Sequence, residues 1–222
     1  MLLRIGHRGA GGHAPENTLA AIERGIALHA HLVEFDVRAT SDGQLVLLHD
    51  ATLDRTTNGH GAIANQLWND VKQITGDGGH PLPLLANALR TASGHIGVMI
   101  EIKTEGTARQ VCRTVQEVRF SGSVIYASFL HDELLAIRRE NHQAQTMALI
   151  EAMPVNRTAF ATDAQATHVG VAFETLTSSF LKSLHDHSFQ VFVYTVNEPA
   201  DIQTAKAMGV DGIISDYPER LL

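Results

Sequence analysis

At 222 residues, 44% of them hydrophobic and 18% charged, the chain is long enough to form one domain around a large core. A formal charge of -7 without any Lys/Arg run excludes the clustered cations on which nucleic-acid binding rests. The single cysteine, Cys112, excludes an internal disulfide and fits a reducing, cytoplasmic compartment; it stands in a helix-like stretch without metal-ligand spacing and reads as inert.

No apolar run approaches the roughly 18 to 20 residues that a bilayer span needs. The opening Met1-Leu2-Leu3-Arg4-Ile5 turns polar and Gly-rich at Gly6-His7-Arg8-Gly9 before a signal-peptide core develops, which argues against export by that route. The run 2–5 reads instead as a strand. Gly9-Ala10-Gly11-Gly12 has neither Walker nor dinucleotide spacing and reads as a flexible turn. A helix is predicted over 16–29, with Pro15 near its first turn and Glu16 suited to the positive end of its dipole. Extended runs follow at 32–38 and 45–49, then a long irregular stretch from 50 to 83 of the kind that carries function or forms a small insertion. Beyond it, strands at 96–102, 123–128, 146–150, 168–172, 191–196 and 212–215 alternate with helices at 84–92, 107–118, 132–142, 162–166, 178–187 and 199–208. Asp132 reads as a cap and Pro199 as a first-turn proline. Such alternation builds a parallel sheet, and eight or nine strands in a single domain over 1–222 favour a closed (β/α)₈ TIM barrel.

Chemistry-bearing side chains gather at the predicted strand ends. Residues i and i+2 of a strand share a face, so Glu34 and Asp36 aim together, and so do Glu101 and Lys103 at the C-terminal end of an apolar strand, where barrel enzymes place catalytic groups. The same spacing also fits half-exposed strands with no site. Three carboxylates converging in one place repel unless a cation holds them, and a hard metal with oxygen ligands, Mg²⁺ or Ca²⁺, suits them. His7 closes the first strand and His49 closes the run that begins at Leu45. Two imidazoles can serve as base and acid, as phosphodiester cleavage requires, and Arg8 and Lys103 supply cations for an anionic substrate, although each also fits a structural ion pair. Tyr194, at another strand end, fits a substrate-facing wall as well as a core position.

Taken in order, His7-Arg8-Gly9, Pro15-Glu16-Asn17-Thr18, Glu34-Phe35-Asp36-Val37, Thr40-Ser41-Asp42-Gly43, His49-Asp50, Leu53-Asp54-Arg55-Thr56-Thr57-Asn58-Gly59, Glu101-Ile102-Lys103, Ser128-Phe129, Thr195-Val196-Asn197 and the segment from Gly209 to Pro218 resemble the glycerophosphodiester phosphodiesterase family. The resemblance spans nearly the whole chain. It implies the same barrel, with a short insertion after the second strand at about 51–83. It further implies His7 and His49 as general acid and base, Glu34, Asp36 and Glu101 as ligands of one divalent cation, Mg²⁺ or Ca²⁺, and Arg8 and Lys103 as phosphate holders. The implied substrates are small glycerophosphodiesters such as glycerophosphocholine and glycerophosphoethanolamine, cleaved to sn-glycerol 3-phosphate and an alcohol. Tyr194 stands where many members carry tryptophan, the stretch 83–87 lacks their acidic residue, and Leu222 follows Tyr217-Pro218 too closely for a full eighth barrel helix. A relative of sphingomyelinase D or of phosphoinositide-specific phospholipase C would share the barrel, but the chain lacks an amphipathic anchor or polybasic patch, so no stable membrane association is expected. A metal-binding sensor without activity would require loss of a chemical group, and none is lost.

Overall fold

The computed structural model describes residues 2–222. Nine strands and eight helices follow one another as β1 (Leu3–Gly6), α1 (Leu19–Ala27), β2 (Leu32–Ala39), β3 (Leu45–Leu47), α2 (Trp68–Val71), α3 (Leu85–Ala92), β4 (Gly97–Ile102) and α4 (Ala108–Val118). The second half adds β5 (Val124–Ser128), α5 (His131–Glu140), β6 (Gln145–Ile150), α6 (Ala159–Asp163), β7 (His168–Ala172), α7 (Ser178–Asp186), β8 (Gln190–Tyr194), α8 (Pro199–Met208) and β9 (Gly212–Ser215). The sheet order is β1-β9-β8-β7-β6-β5-β4-β2-β3, and the further pairing of β1 with β2 closes a ring of eight parallel strands. A (β/α)₈ barrel results, and the strand β3 lies outside it.

Strand parity sets what each side chain meets. In β2, Val33, Phe35 and Val37 point outward and pack under the helices with Val98, Ile100 and Ile102 of β4. The alternate residues point inward, where Ile5, Leu32, Met99, Ile125, Met147, Leu149, Phe192 and Ile214 fill the barrel. Each fully buried Ile, Leu or Phe of these layers contributes about 1.5 to 3 kcal/mol relative to an exposed one, so the alternation is the main determinant of strand register. Above this inner layer, the same inward positions carry Glu34, Asp36 and Glu101, with Asp36 paired to Glu101 across β2 and β4.

Several expected local features differ. The run 45–49 is not a barrel strand: β3 pairs antiparallel with β2, Val37 opposite Leu47 and Ala39 opposite Leu45. Its apolar residues serve a separate small core, in which Val46 and Leu48 meet Leu53, Ile63, Val71 and Leu82. The excursion from the barrel therefore starts directly after β2 rather than near residue 51. Helix α1 begins at Leu19 because Thr18 is its cap, its Oγ1 accepting from Ala21 N at 3.1 Å while donating to Pro15 O at 2.7 Å. Pro15 and Glu16 thus lie in the turn before it. The glycine-rich segment is a packed turn: Arg8 and Gly9 have φ of 50° and 91°, and a Cβ on Gly9 would come within 2.5 Å of the Ala21 backbone. Asp132 lies inside the first turn of α5 rather than capping it, and Ser128 Oγ accepts from Leu130 N instead. The short helix predicted at 162–166 forms earlier, as α6, and a single 3₁₀ turn, Pro218–Leu221, follows β9.

Candidate active site

The inward carboxylates of β2 and β4 meet at the C-terminal rim of the barrel. One oxygen from each of Glu34, Asp36 and Glu101 lies within 4.8 Å of the others; Glu34 and Asp36 are buried and the Glu101 side chain is 13% exposed. The left-handed turn at Arg8 and Gly9 directs Arg8 N to Glu34 Oε2 at 2.8 Å. Asn17, itself at φ 58°, brackets Asp36: its Nδ2 donates to Asp36 Oδ2 at 2.8 Å and its Oδ1 accepts from Asp36 N at 2.9 Å. Lys103, two residues beyond Glu101 on the same face, places Nζ 3.1 Å from Asp36 Oδ1 and 2.6 Å from Glu101 Oε1. Arg8 Nε is 3.5 Å from Asp36 Oδ2. The two cations are thus paired with carboxylates and stand within the same cluster.

Burial, followed by repulsion from Asp36 and Glu101, pushes the Glu34 carboxyl well above the usual carboxylate range. Burial and the Asp36 charge push Glu101 up to about 7 against the pull of Lys103. Asp36 is buried too, yet Lys103, Arg8 and the Asn17 amide outweigh that cost and hold it below its ordinary value. Glu34 and Glu101 therefore both resist giving up their protons when no cation is present. Glu34 Oε1 is buried with no hydrogen-bond partner. An orphaned carboxylate oxygen beside two other carboxylates fits a hard, oxygen-liganded divalent cation.

A cation at this cluster must displace those protons, so its affinity is expected to fall as pH drops below about 7, by roughly tenfold per pH unit for each proton released. The sign follows from the raised acid: the cation binds the ionised form, which is complete only above the raised value. Calorimetric titration with Mg²⁺ or Ca²⁺ at pH 6 and pH 8, in buffers of different ionisation enthalpy, measures this. Equal affinity at both pH values with no proton release would contradict it.

Two imidazoles stand at the same rim. His7 lies two residues beyond inward-facing Ile5, and its Nδ1 bonds Asp216 Oδ1 at 2.7 Å. Asp216 is in turn fixed by Asn197, whose Nδ2 donates to Asp216 Oδ2 at 2.7 Å and whose Oδ1 accepts from Asp216 N at 2.9 Å. His49 arrives differently, on the antiparallel return from β3, with Nδ1 2.7 Å from Asp50 Oδ1 and its carbonyl accepting from Arg38 Nε at 2.9 Å. Hydrogen bonds from Arg55 and from His49 hold Asp50 below the usual carboxylate range despite partial burial. Burial makes Asp216 harder to ionise, but its bond to His7 outweighs this and keeps it low. An ionised carboxylate only accepts, so Nδ1 carries the proton in both rings and Nε2 is free to take or give one. Burial lowers the pKa of His49, against the opposing pull of Asp50 and Asp36.

His7, Glu34 and Glu101 line one side of a cleft whose other walls are Phe129, Leu149 and Tyr194. Tyr194 and Phe129 form a T-shaped pair with ring centres 6.1 Å apart, and the Tyr194 hydroxyl donates to Ile150 O at 2.9 Å. Lys103 Nζ lies 5.8 Å from the Phe129 ring centre. Sequence reasoning gave no site role to Asn17, Asp50, Asp216, Asn197, Arg38 or the Glu16-Arg55 pair. Asp50 was detectable from its adjacency to His49, whereas Asp216 is 209 residues from His7 and carries no local signal.

An acid-lined barrel mouth with two carboxylate-anchored imidazoles is equipped for acid/base chemistry, and comparison with known proteins specifies the class. The sequence matches the model of the Glycerophosphoryl diester phosphodiesterase family over residues 7–220, and the chain belongs to that family. It is therefore a phosphoric diester hydrolase. Among its relatives, the glycerophosphodiester phosphodiesterase of Caldanaerobacter subterraneus subsp. tengcongensis is 29% identical over 99% of this chain and 96% of its own length. That of Bacillus altitudinis is 27% identical, covering 96% and 94% of the two chains. In structure, the phosphodiesterase of Oleispira antarctica in complex with its product sn-glycerol-3-phosphate superposes with a TM-score of 0.90 at 24% identity, over 98% of this chain and 94% of that one. The glycerophosphodiester phosphodiesterase of Agrobacterium tumefaciens gives 0.85 at 25% identity, over 100% and 99%. No helix among the described residues is long and apolar enough to cross a membrane.

Proposed function

We propose that this chain hydrolyses small glycerophosphodiesters, such as glycerophosphocholine and glycerophosphoethanolamine, to sn-glycerol 3-phosphate and the free alcohol. In this reading His7 and His49 are the acid/base pair, and Glu34, Asp36 and Glu101 hold one divalent cation, Mg²⁺ or Ca²⁺. The observation that carries it is the pair of imidazoles, each anchored at Nδ1 by its own ionised carboxylate, at the barrel rim that holds the carboxylate cluster.

Bound at the cluster, a divalent cation supplies positive charge against the non-bridging phosphate oxygens. Arg8 and Lys103 add fixed positive charge at the same rim, where it stabilises the negative charge that develops as the bond to phosphorus forms. One imidazole Nε2 takes the proton of the attacking oxygen as it joins phosphorus, whether that oxygen is water's or the substrate's own glycerol hydroxyl. The other gives a proton to the alkoxide as the old P–O bond breaks, so the pair ends with its protons exchanged. Where the glycerol hydroxyl attacks, a water molecule opens the resulting cyclic phosphate in a further round with the two imidazole roles reversed. Asp216 and Asp50 hold each ring through this cycle. The Phe129 and Tyr194 rings form an apolar wall suited to the carbon skeleton of the glycerol or alcohol portion. The Oleispira antarctica neighbour, with sn-glycerol-3-phosphate bound, supports a substrate of this class.

Turnover coupled to glycerol-3-phosphate dehydrogenase tests the reading. Glycerophosphocholine should give glycerol 3-phosphate and choline in equal amounts and be cleaved far faster than sphingomyelin in vesicles. Choline phosphate as product, or comparable cleavage of sphingomyelin, would move the chain to another phosphodiesterase class.

A further inference from the structure

The acid/base reading leaves one arginine near the site without a task. Arg55 lies in the segment between β3 and α3 and reaches two carboxylates at once. Its Nε donates to Asp50 Oδ2 at 2.7 Å and its Nη2 to Asp50 Oδ1 at 3.0 Å. On the other side, Nη1 donates to Glu16 Oε2 at 2.9 Å and Nη2 to Glu16 Oε1 at 2.7 Å. Glu16 belongs to the turn before α1, and its Oε1 also accepts from Arg8 Nη1 at 2.7 Å. Charges alternate in sign along Asp50, Arg55, Glu16, Arg8 and Asp36, so each link of the chain is attractive, and Asp50 at its end bonds the His49 ring.

Its side chain is 47% exposed, and a single ion pair so exposed would add little. Two bidentate forks on one planar guanidinium act differently, because they fix the plane and direction of both carboxylates. His49 needs such support more than His7 does. It rides on the tail of a three-residue strand outside the barrel, and its side chain is 35% exposed. The charged groups that act on it are Asp50, Asp36, Lys103 and Arg8, with Arg38 bound to its carbonyl. Of these, Asp50 alone bonds the ring, and Arg55 occupies both oxygens of Asp50.

We infer that Arg55 is a positioning residue that clamps Asp50 to Glu16 and thereby fixes the orientation and tautomer of His49 beside the carboxylate cluster. The inference rests on the acid/base role proposed for His49. Glu16, which looked like a helix-dipole residue, is the anchor on the barrel side, and the Leu53 to Gly59 segment gains a task at the site.

The test is steady-state kinetics on metal-loaded enzyme for Arg55→Gln, Arg55→Lys, His49→Ala and the double variant Arg55→Gln/His49→Ala, with glycerophosphocholine and with bis(p-nitrophenyl) phosphate to keep slow variants measurable. Arg55→Gln should lower kcat by about 10- to 100-fold with KM little changed, the range usual for groups that orient a reacting residue. Lysine should fail to rescue, since an ammonium cannot fork onto two carboxylates. In the His49→Ala background the Arg55 change should have no further effect, because it acts through the missing ring. A raised KM with unchanged kcat would make Arg55 a substrate contact and overturn the inference. So would an equal loss in the His49→Ala background, or wild-type turnover by Arg55→Gln. Should the glutamine variant not fold, Arg55→Lys keeps charge and stem and is read by the same criteria. Full turnover by His49→Ala would instead sink the acid/base reading itself, an outcome separate from the Arg55 results.

Discussion

Alanine at either His7 or His49 is expected to lower kcat for glycerophosphocholine by about 10² to 10⁴-fold, the usual contribution of one general acid or base. Both rings are held at Nδ1 by carboxylates that stay ionised, so each presents the same free nitrogen, and neither is among the carboxylate ligands proposed for the cation. Cation binding by both variants should therefore stay close to that of the parent. The double variant should be little slower than the worse single one, because residues acting as one unit lose their effects non-additively. A substrate whose leaving group is p-nitrophenolate needs almost no protonation on departure, so it should rescue the variant lacking the acid and leave the other slow, assigning the two roles. Near-parental turnover by either folded single variant would remove that histidine from the mechanism.

Glu101→Gln should abolish metal-dependent turnover and yet make the metal-free protein more stable above neutral pH. Burial and the Asp36 charge raise the Glu101 carboxyl to about 7 in the folded chain, while its ordinary value is 4.5. Between those two values the unfolded chain has already released a proton that the folded chain keeps, so stability falls as pH rises through this window. Above it the folded metal-free protein carries the whole penalty, on the order of 1 to 3 kcal/mol. Glutamine has the same shape and no charge to bury. Thermal unfolding of chelator-treated parent and variant at pH 5 and pH 8 measures the effect: the variant's advantage should be large at pH 8 and small at pH 5. Added Mg²⁺ or Ca²⁺ should raise the Tm of the parent and leave the variant nearly unmoved. A variant that is less stable than the metal-free parent at pH 8, or that still gains from the cation, would remove Glu101 from the proposed ligand set.

Strand periodicity made much of this protein legible. Val33, Phe35 and Val37 alternate with Glu34 and Asp36, and a period of two admits only one assignment of faces once the apolar set is buried, so the carboxylates and Lys103 share the barrel interior in sequence and structure alike. The alternation of such strands with amphipathic helices sufficed for the barrel, because parallel strands joined by helices have few ways to bury both faces. Periodicity says which side a residue faces and nothing about which distant segment it meets. The run from Leu45 has the same apolar character whether it enters the ring or folds back on it, and its antiparallel course follows from Val46 and Leu48 finding a second small core. The start of α1 at Leu19 and the departure of Glu16 from its helix depended on Thr18 winning the cap and on two arginines arriving from elsewhere. Asp216 reaches His7 only because the last strand closes beside the first, and Arg55 reaches Asp50 and Glu16 only because the segment after β3 folds over the rim. Inward-facing side chains are specified by local spacing, whereas the partners that hold them come from ring closure and from long-range packing, which no local pattern encodes.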